Sequence, residues 1–66
     1  MTRERIKMIL ENIPHYKTKV IHLKDGGRIL YNSQCGLKIN CMNGGFSING
    51  DLIDVLISYD SVDRIE

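Results

Sequence analysis

Four side chains in this 66-residue sequence have ordinary pKa values near enough to neutrality for acid–base, nucleophilic or metal chemistry: His15, His22, Cys35 and Cys41. As metal ligands they are spaced H-x6-H-x12-C-x5-C, without the C-x2-C or H-x3-H knuckle that closes a tight chelate turn. No metal and no other cofactor is therefore expected. A Cys-His couple could form in three dimensions, yet no local sequence resembles a nucleophile motif, and the chain is read as non-catalytic. With no secretion signal ahead of them, the two cysteines are expected to be unlinked thiols. Asp51, Asp54, Asp60 and Asp63 read as turn formers and a solvated face rather than as a general acid and base. Gly26-Gly27 and Gly44-Gly45 are turn glycines, since neither pair is followed by the Lys-Ser/Thr and helix of a phosphate loop.

Binding is the better-supported class. Lys17, Lys19, Lys24, Arg28 and Lys38 offer cations for phosphates, and Tyr16, Tyr31 and His22 lie among them as flat rings on which bases can stack. Asn32 and Gln34 add hydrogen-bonding groups in the loop after Tyr31. The candidate site for a nucleic acid or nucleotide is thus Lys17, Lys19, Lys24, Arg28, Tyr31, Asn32, Gln34 and Lys38. In alternate positions Lys17 and Lys19 share a face with Ile21 and Leu23, so the same lysines also suit the solvent end of a core-facing strand. The net charge is only +1, but residues 1–38 carry eight basic against three acidic residues and residues 39–66 one against five. That asymmetry fits a basic binding face, a head-to-tail contact between copies, or two ordinary solvated faces.

The elements that must position these groups can be read from periodicity. The stretch DLIDVLISYDSVDRIE (residues 51–66) organises the rest: Ile53, Val55, Ile57 and Tyr59 alternate with Leu52, Asp54, Leu56 and Ser58, which predicts a strand and, with apolar residues on both sides, the most buried one. Asp60-Ser61 is a turn, and Val62 and Ile65 begin a short closing strand or one helical turn. At the other end, Thr2 caps a helix over about residues 2–13 whose stripe is Ile6, Ile9, Leu10 and Ile13, and Pro14 stops it. Asp25-Gly26-Gly27 joins a strand over about residues 16–24 to the return strand RILYN, residues 28–32. Residues 33–36 form a loop, LKINCM (37–42) a third strand, and Phe46-Ser47-Ile48 a very short one between the turns Asn43-Gly44-Gly45 and Asn49-Gly50-Asp51.

Three glycine turns at this spacing indicate an antiparallel meander. The expected fold class is mainly β, a single domain over residues 1–66: a small antiparallel barrel of about five strands with one N-terminal helix. A core with one Phe and no Trp is marginal, so self-association into a homo-oligomer is expected. No apolar run is long enough to cross a bilayer, and the first fifteen residues have no signal-peptide core. The chain is read as cytoplasmic, with no membrane partner.

The succession of a helix, VIHLKDGGRIL as a hairpin, a bent strand, and VLISYDSVDRIE as strand, turn and closing strand resembles the plan of Sm-like and SH3-type small barrels. The resemblance implies a five-stranded bent sheet under an N-terminal helix, ring assembly and RNA binding. Tyr31 stands near the place of a glycine in the Sm family's first motif, Asn32, Ser33 and Gln34 stand near its Asp and Asn, and Ser58-Tyr59 replaces the Arg-Gly or Lys-His pair of its second. Two functions follow as expectations. The first is a self-associating, non-catalytic small barrel that binds RNA, another nucleic acid or a nucleotide. The second, favoured by the near-neutral charge, is a protein-interaction module, a small inhibitor or adaptor whose acidic Asp51, Asp54, Asp60 and Asp63 occupy a basic groove on a target protein.

Overall fold

The computed structural model describes all 66 residues and orders them as α1 (Arg3–Glu11), β1 (Lys19–Leu23), β2 (Arg28–Tyr31), β3 (Lys38–Cys41), β4 (Gly45–Asn49), β5 (Asp54–Ser58) and β6 (Val62–Ile65). Single 3-10 turns occupy Ser33–Cys35 and Tyr59–Ser61. The strands make two antiparallel three-stranded sheets, β2-β1-β6 and β3-β4-β5. No hydrogen-bonded ladder joins the sheets, so the expected mainly-β, one-helix architecture is present without closure into a continuous barrel. The break falls after Tyr31. There the Asn32 side chain accepts from the Gln34 amide at 2.8 Å, starting a 3-10 turn that Gly36 ends with a left-handed φ of 74°. An Asn cap and a glycine exit divert into a turn a chain that would otherwise run straight from β2 into β3.

Local chemistry explains most element ends. Thr2 Oγ1 accepts from the Arg5 amide at 3.2 Å, and the helix stops at Glu11, where Asn12 returns its amide to the Ile9 carbonyl. This is short of the expected residue 13, because Asn12 and then Ile13, which precedes a proline, have already left helical geometry. In the β1–β2 turn Gly26 has φ 94° and Asp25 Oδ1 accepts from the Gly27 amide at 2.8 Å. The first strand begins at Lys19 rather than Tyr16, since the Lys17 amide is drawn back to the Pro14 carbonyl at 3.2 Å.

The core lies between the two sheets and under the helix. It consists of Ile6 and Leu10 from α1, Ile21, Tyr31 and Val62 from the first sheet, Phe46, Ile48 and Ile57 from the second, and Tyr59 from the turn that follows β5. The Phe46 and Tyr59 rings stack with centroids 5.9 Å apart, and Tyr59 donates its hydroxyl to the Met42 carbonyl at 2.8 Å. Each such apolar side chain contributes about 1.5–3 kcal/mol by leaving water. The most buried strand is β4, not β5 as its composition suggests. β5 has a partner on one side only, and its outer face leaves Leu56 73% exposed, with Leu52 fully exposed just ahead of the strand. No helix is long and apolar enough to cross a membrane.

Candidate nucleic-acid interface

The structure divides the eight expected binding residues among four places. Tyr31 is a correction: alternating with Ile29 it points inward, retains 8% exposure, and donates its hydroxyl to the Leu37 carbonyl at 3.3 Å. It is a core residue and has no face to offer a base. Lys38 lies on the outer face of the second sheet, in a cross-strand row with Asn49 and Asp54. Lys24 and Arg28 flank the β1–β2 turn at one end of the first sheet. Lys17, Lys19, Asn32 and Gln34 gather at the opposite end, four residue steps or about 13 Å along β1.

This last group is the most constructed surface of the molecule. The loop 14–18 is tied to the turn 32–36 by two direct links: Asn32 Nδ2 donates to Thr18 Oγ1 at 2.9 Å, and the Tyr16 amide donates to Ser33 Oγ at 3.4 Å. Ser33 Oγ also lies 3.2 Å from His15 Nδ1. Tyr16 is the only residue other than glycine with positive φ, at 67°, a conformation that costs a bulky side chain about 1–2 kcal/mol. Held so, the residue is 62% exposed, and its ring lies 4.0 Å from the His15 ring, centroid to centroid, at 60°. Lys17 and Gln34 are exposed on the two linked segments, while Lys19 is half-buried and lines a shallow depression with Ile13 and Pro14. The cluster therefore offers an aromatic face, an ammonium group and an amide on one backbone frame.

Tyr16 and His15 are the members that a reading centred on the lysines undervalues. Pro14 immediately before them was the available signal, because it marks a turn, and a tyrosine in a turn is far more exposed than one alternating with isoleucine in a strand.

The outer face of the first sheet carries a second charged row. His22 pairs with Arg28 on one side and Arg64 on the other, so the three side chains share one face. Glu66 neutralises part of it: its carboxylate accepts from Arg64 Nε at 2.6 Å and lies 3.6 Å from His22 Nε2. The guanidinium of Arg64, with a smaller contribution from His22, holds Glu66 below its ordinary pKa. Asp60 is likewise lowered by its two-point contact with Arg3, at 2.8 and 3.2 Å, which ties α1 to the turn before β6. Lys17, Lys19, Lys24, Arg28 and Lys38 take part in no ion pair.

No three His, Cys, Asp or Glu side chains are grouped so as to hold a metal ion, and both cysteines are free thiols, Cys35 exposed and Cys41 half-buried. Burial raises the Cys41 pKa above the ordinary thiol value, and burial together with the neighbouring Cys41 does the same for Tyr59. The acidic half is partly spent within the molecule, with Asp60, Asp63 and Glu66 in ion pairs and Asp51 and Asp54 outside them. No protein-family model, no curated protein and no solved structure matches the chain.

Proposed function

We propose that the protein is a non-catalytic binding module that holds single-stranded nucleic acid or a nucleotide at the 14–18/32–36 surface and self-associates through its edge strands. The observation that carries this reading is the exposed Tyr16, fixed in a left-handed conformation next to Lys17 and tied through its amide to the 32–36 turn that bears Gln34. A single-stranded base needs a flat partner, and its phosphate needs an unpaired cation nearby. Lys19 marks the inner border of that surface, and Asn32 acts by bracing the loop rather than by touching a ligand. Lys24 and Arg28 extend the charge along the strand direction. The two sheets are read as halves of a small Sm-like barrel, interrupted at residues 32–37 where that family bends one strand continuously. The order of strands, with β1 between β2 and β6 and β3-β4-β5 as a meander, supports that plan.

The test is fluorescence anisotropy of labelled single-stranded RNA and DNA across a salt series. Binding is expected to weaken steeply with salt, and Lys17→Ala is expected to lower the logarithmic salt slope by about 0.7, one phosphate contact on a single strand. Absence of binding to RNA, DNA and nucleotides at low salt overturns the reading.

A second reading, an inhibitor or adaptor that engages a target protein, is favoured by one observation: exposed Leu56 and Leu52 beside the unpaired side of β5. Recovery of one stoichiometric partner from the native host supports it, and a clean recovery without one counts against it.

A further inference from the structure

The backbone of β5 has an alternation that determines what can pair with it. Next to this strand, the Gly50 amide donates to the Ile53 carbonyl at 2.8 Å and the Tyr59 amide to the Gly44 carbonyl at 3.3 Å. These bonds bracket the β4–β5 register, in which Ile48 faces Val55 and Phe46 faces Ile57. In an antiparallel ladder the hydrogen-bonded pairs alternate, so the odd residues from Ile53 to Tyr59 direct their backbone groups at β4. Asp54, Leu56 and Ser58 then direct theirs outward, where no strand is hydrogen-bonded.

The other edges are guarded. β3 is packed against α1. β6 contains a bulge, because His22 faces Arg64 while Leu23 faces Val62, leaving Asp63 as the extra residue, and its outer side bears Asp63 and Arg64 in ion pairs. Bulges and charges are the ordinary means by which an edge resists pairing. β2 directs only Arg28 and Leu30 outward before the chain leaves the strand at Asn32. β5 is regular, and it alone has two of the most exposed apolar side chains of the molecule beside it, Leu56 and Leu52. Two shallow depressions border β5, one of about 450 Å³ over the sheet face toward Met42, Gly44 and Gly45, and one of about 410 Å³ between Leu56–Ser58 and the β1–β2 turn at Leu23, Lys24 and Asp25.

We infer that this edge pairs with the β5 strand of a second copy, antiparallel about a two-fold axis at Leu56, to give a closed dimer with one continuous six-stranded sheet. This rests on the self-association part of the proposed function and gives it an edge, a register and a symmetry. Only the register centred on Leu56 pairs all three outward residues; a shift of two in either direction leaves one unmatched. That register sets Leu56 beside its own copy and Asp54 opposite Ser58, whereas the register centred on Asp54 opposes two carboxylates. A head-to-tail ring would have to join β5 to the bulged and charged β6, to the short β2 or to the helix-covered β3, and the two-fold pairing uses none of them.

The experiment is native mass spectrometry with sedimentation velocity over a concentration series, on wild type and on Leu56→Lys. Wild type is expected to be dimeric. Leu56→Lys is expected to weaken dimerisation on the order of a hundredfold or more, because it opposes two ammonium groups across the axis. A second variant decides the matter if Leu56→Lys fails to fold. Hydrogen-bonded antiparallel pairs have Cα atoms about 5.5 Å apart, within disulfide reach. Leu56→Cys, in a Cys35→Ser/Cys41→Ser background, should therefore cross-link to a covalent dimer on mild oxidation, while Asn40→Cys on the same outer face should not. A wild-type monomer, a ring, a dimer untouched by Leu56→Lys, or cross-linking equal at both positions overturns the inference. Failure of the nucleic-acid reading is distinct: a cross-linkable dimer that binds no oligonucleotide.

Discussion

Replacing Tyr16 separates what the backbone costs from what the ring does. Tyr16→Ala and Tyr16→Gly both remove the ring, and with it the contact to His15, so their difference reports the backbone alone. At φ 67° alanine keeps a conformational cost of about 1–2 kcal/mol that glycine escapes. Glycine in turn loses about 0.5–1 kcal/mol through its freer unfolded chain. The glycine variant should therefore be the more stable by roughly 0.5–1 kcal/mol, or about 4 °C in melting temperature for a domain of this size. Urea and thermal unfolding followed by circular dichroism measure it. Because Tyr16 is 62% exposed, neither variant should approach the loss seen on emptying a core site. Binding should behave differently: both should lose the stacking contribution, about 1–3 kcal/mol or roughly 5- to 150-fold in affinity. An alanine variant as stable as the glycine one would refute the strained turn, and full affinity in both would refute the ring as a base platform.

Three further predictions concern packing and burial. A Cβ at Gly45 would lie 2.3 Å from the Ile57 carbonyl oxygen on the neighbouring strand, whereas one at Gly44 meets nothing within 4 Å. Gly45→Ala should push β4 from β5 and cost about 1–3 kcal/mol as an overpacked site, and Gly44→Ala should leave the unfolding midpoint nearly unchanged. At neutral pH a thiol reagent should label exposed Cys35 quickly and Cys41 only slowly. The folded state holds the protons of Cys41 and Tyr59 beyond their ordinary values, so it binds more protons than the unfolded chain in alkali. Stability should be undiminished below the ordinary thiol pKa and fall as pH rises past it; a midpoint that increases between neutral and alkaline pH would contradict the assigned burial of this pair.

Much of the fold was legible because its signals are local. Thr2, Asp25 and Asn32 each satisfy a backbone amide two or three residues on, and such bonds are written in adjacent letters. Tyr31 was also legible in principle, since it shares a face with Ile29. What stayed hidden depends on partners far along the chain. Leu52 and Leu56 read as buried because nothing in DLIDVLIS says that β5 has a strand on one side only. The same holds for the site: lysines spaced through residues 17–38 suggest one surface, yet sheet geometry sends Lys38 to a different sheet and Lys24 and Arg28 to the far end of the first. The link between residues 14–18 and 32–36 is made by side chains 14 to 18 positions apart, beyond any local pattern.

The two sheets also differ in when they can exist. β3, β4 and β5 follow one another through short turns, so that sheet closes only small loops and can assemble as soon as residue 58 is available. The first sheet needs β1 to meet β6, with Ile21 opposite Ile65 across most of the chain. Until then one side of β1 stands open, with Val20 and Ile21 uncovered by their last partner. A shortened product ending before Val62 would keep that side open permanently, with Phe46, Ile48 and Ile57 still sheltered in the other sheet. Such a fragment would be half native and sticky along β1, and aggregation from that strand is the hazard that this topology carries.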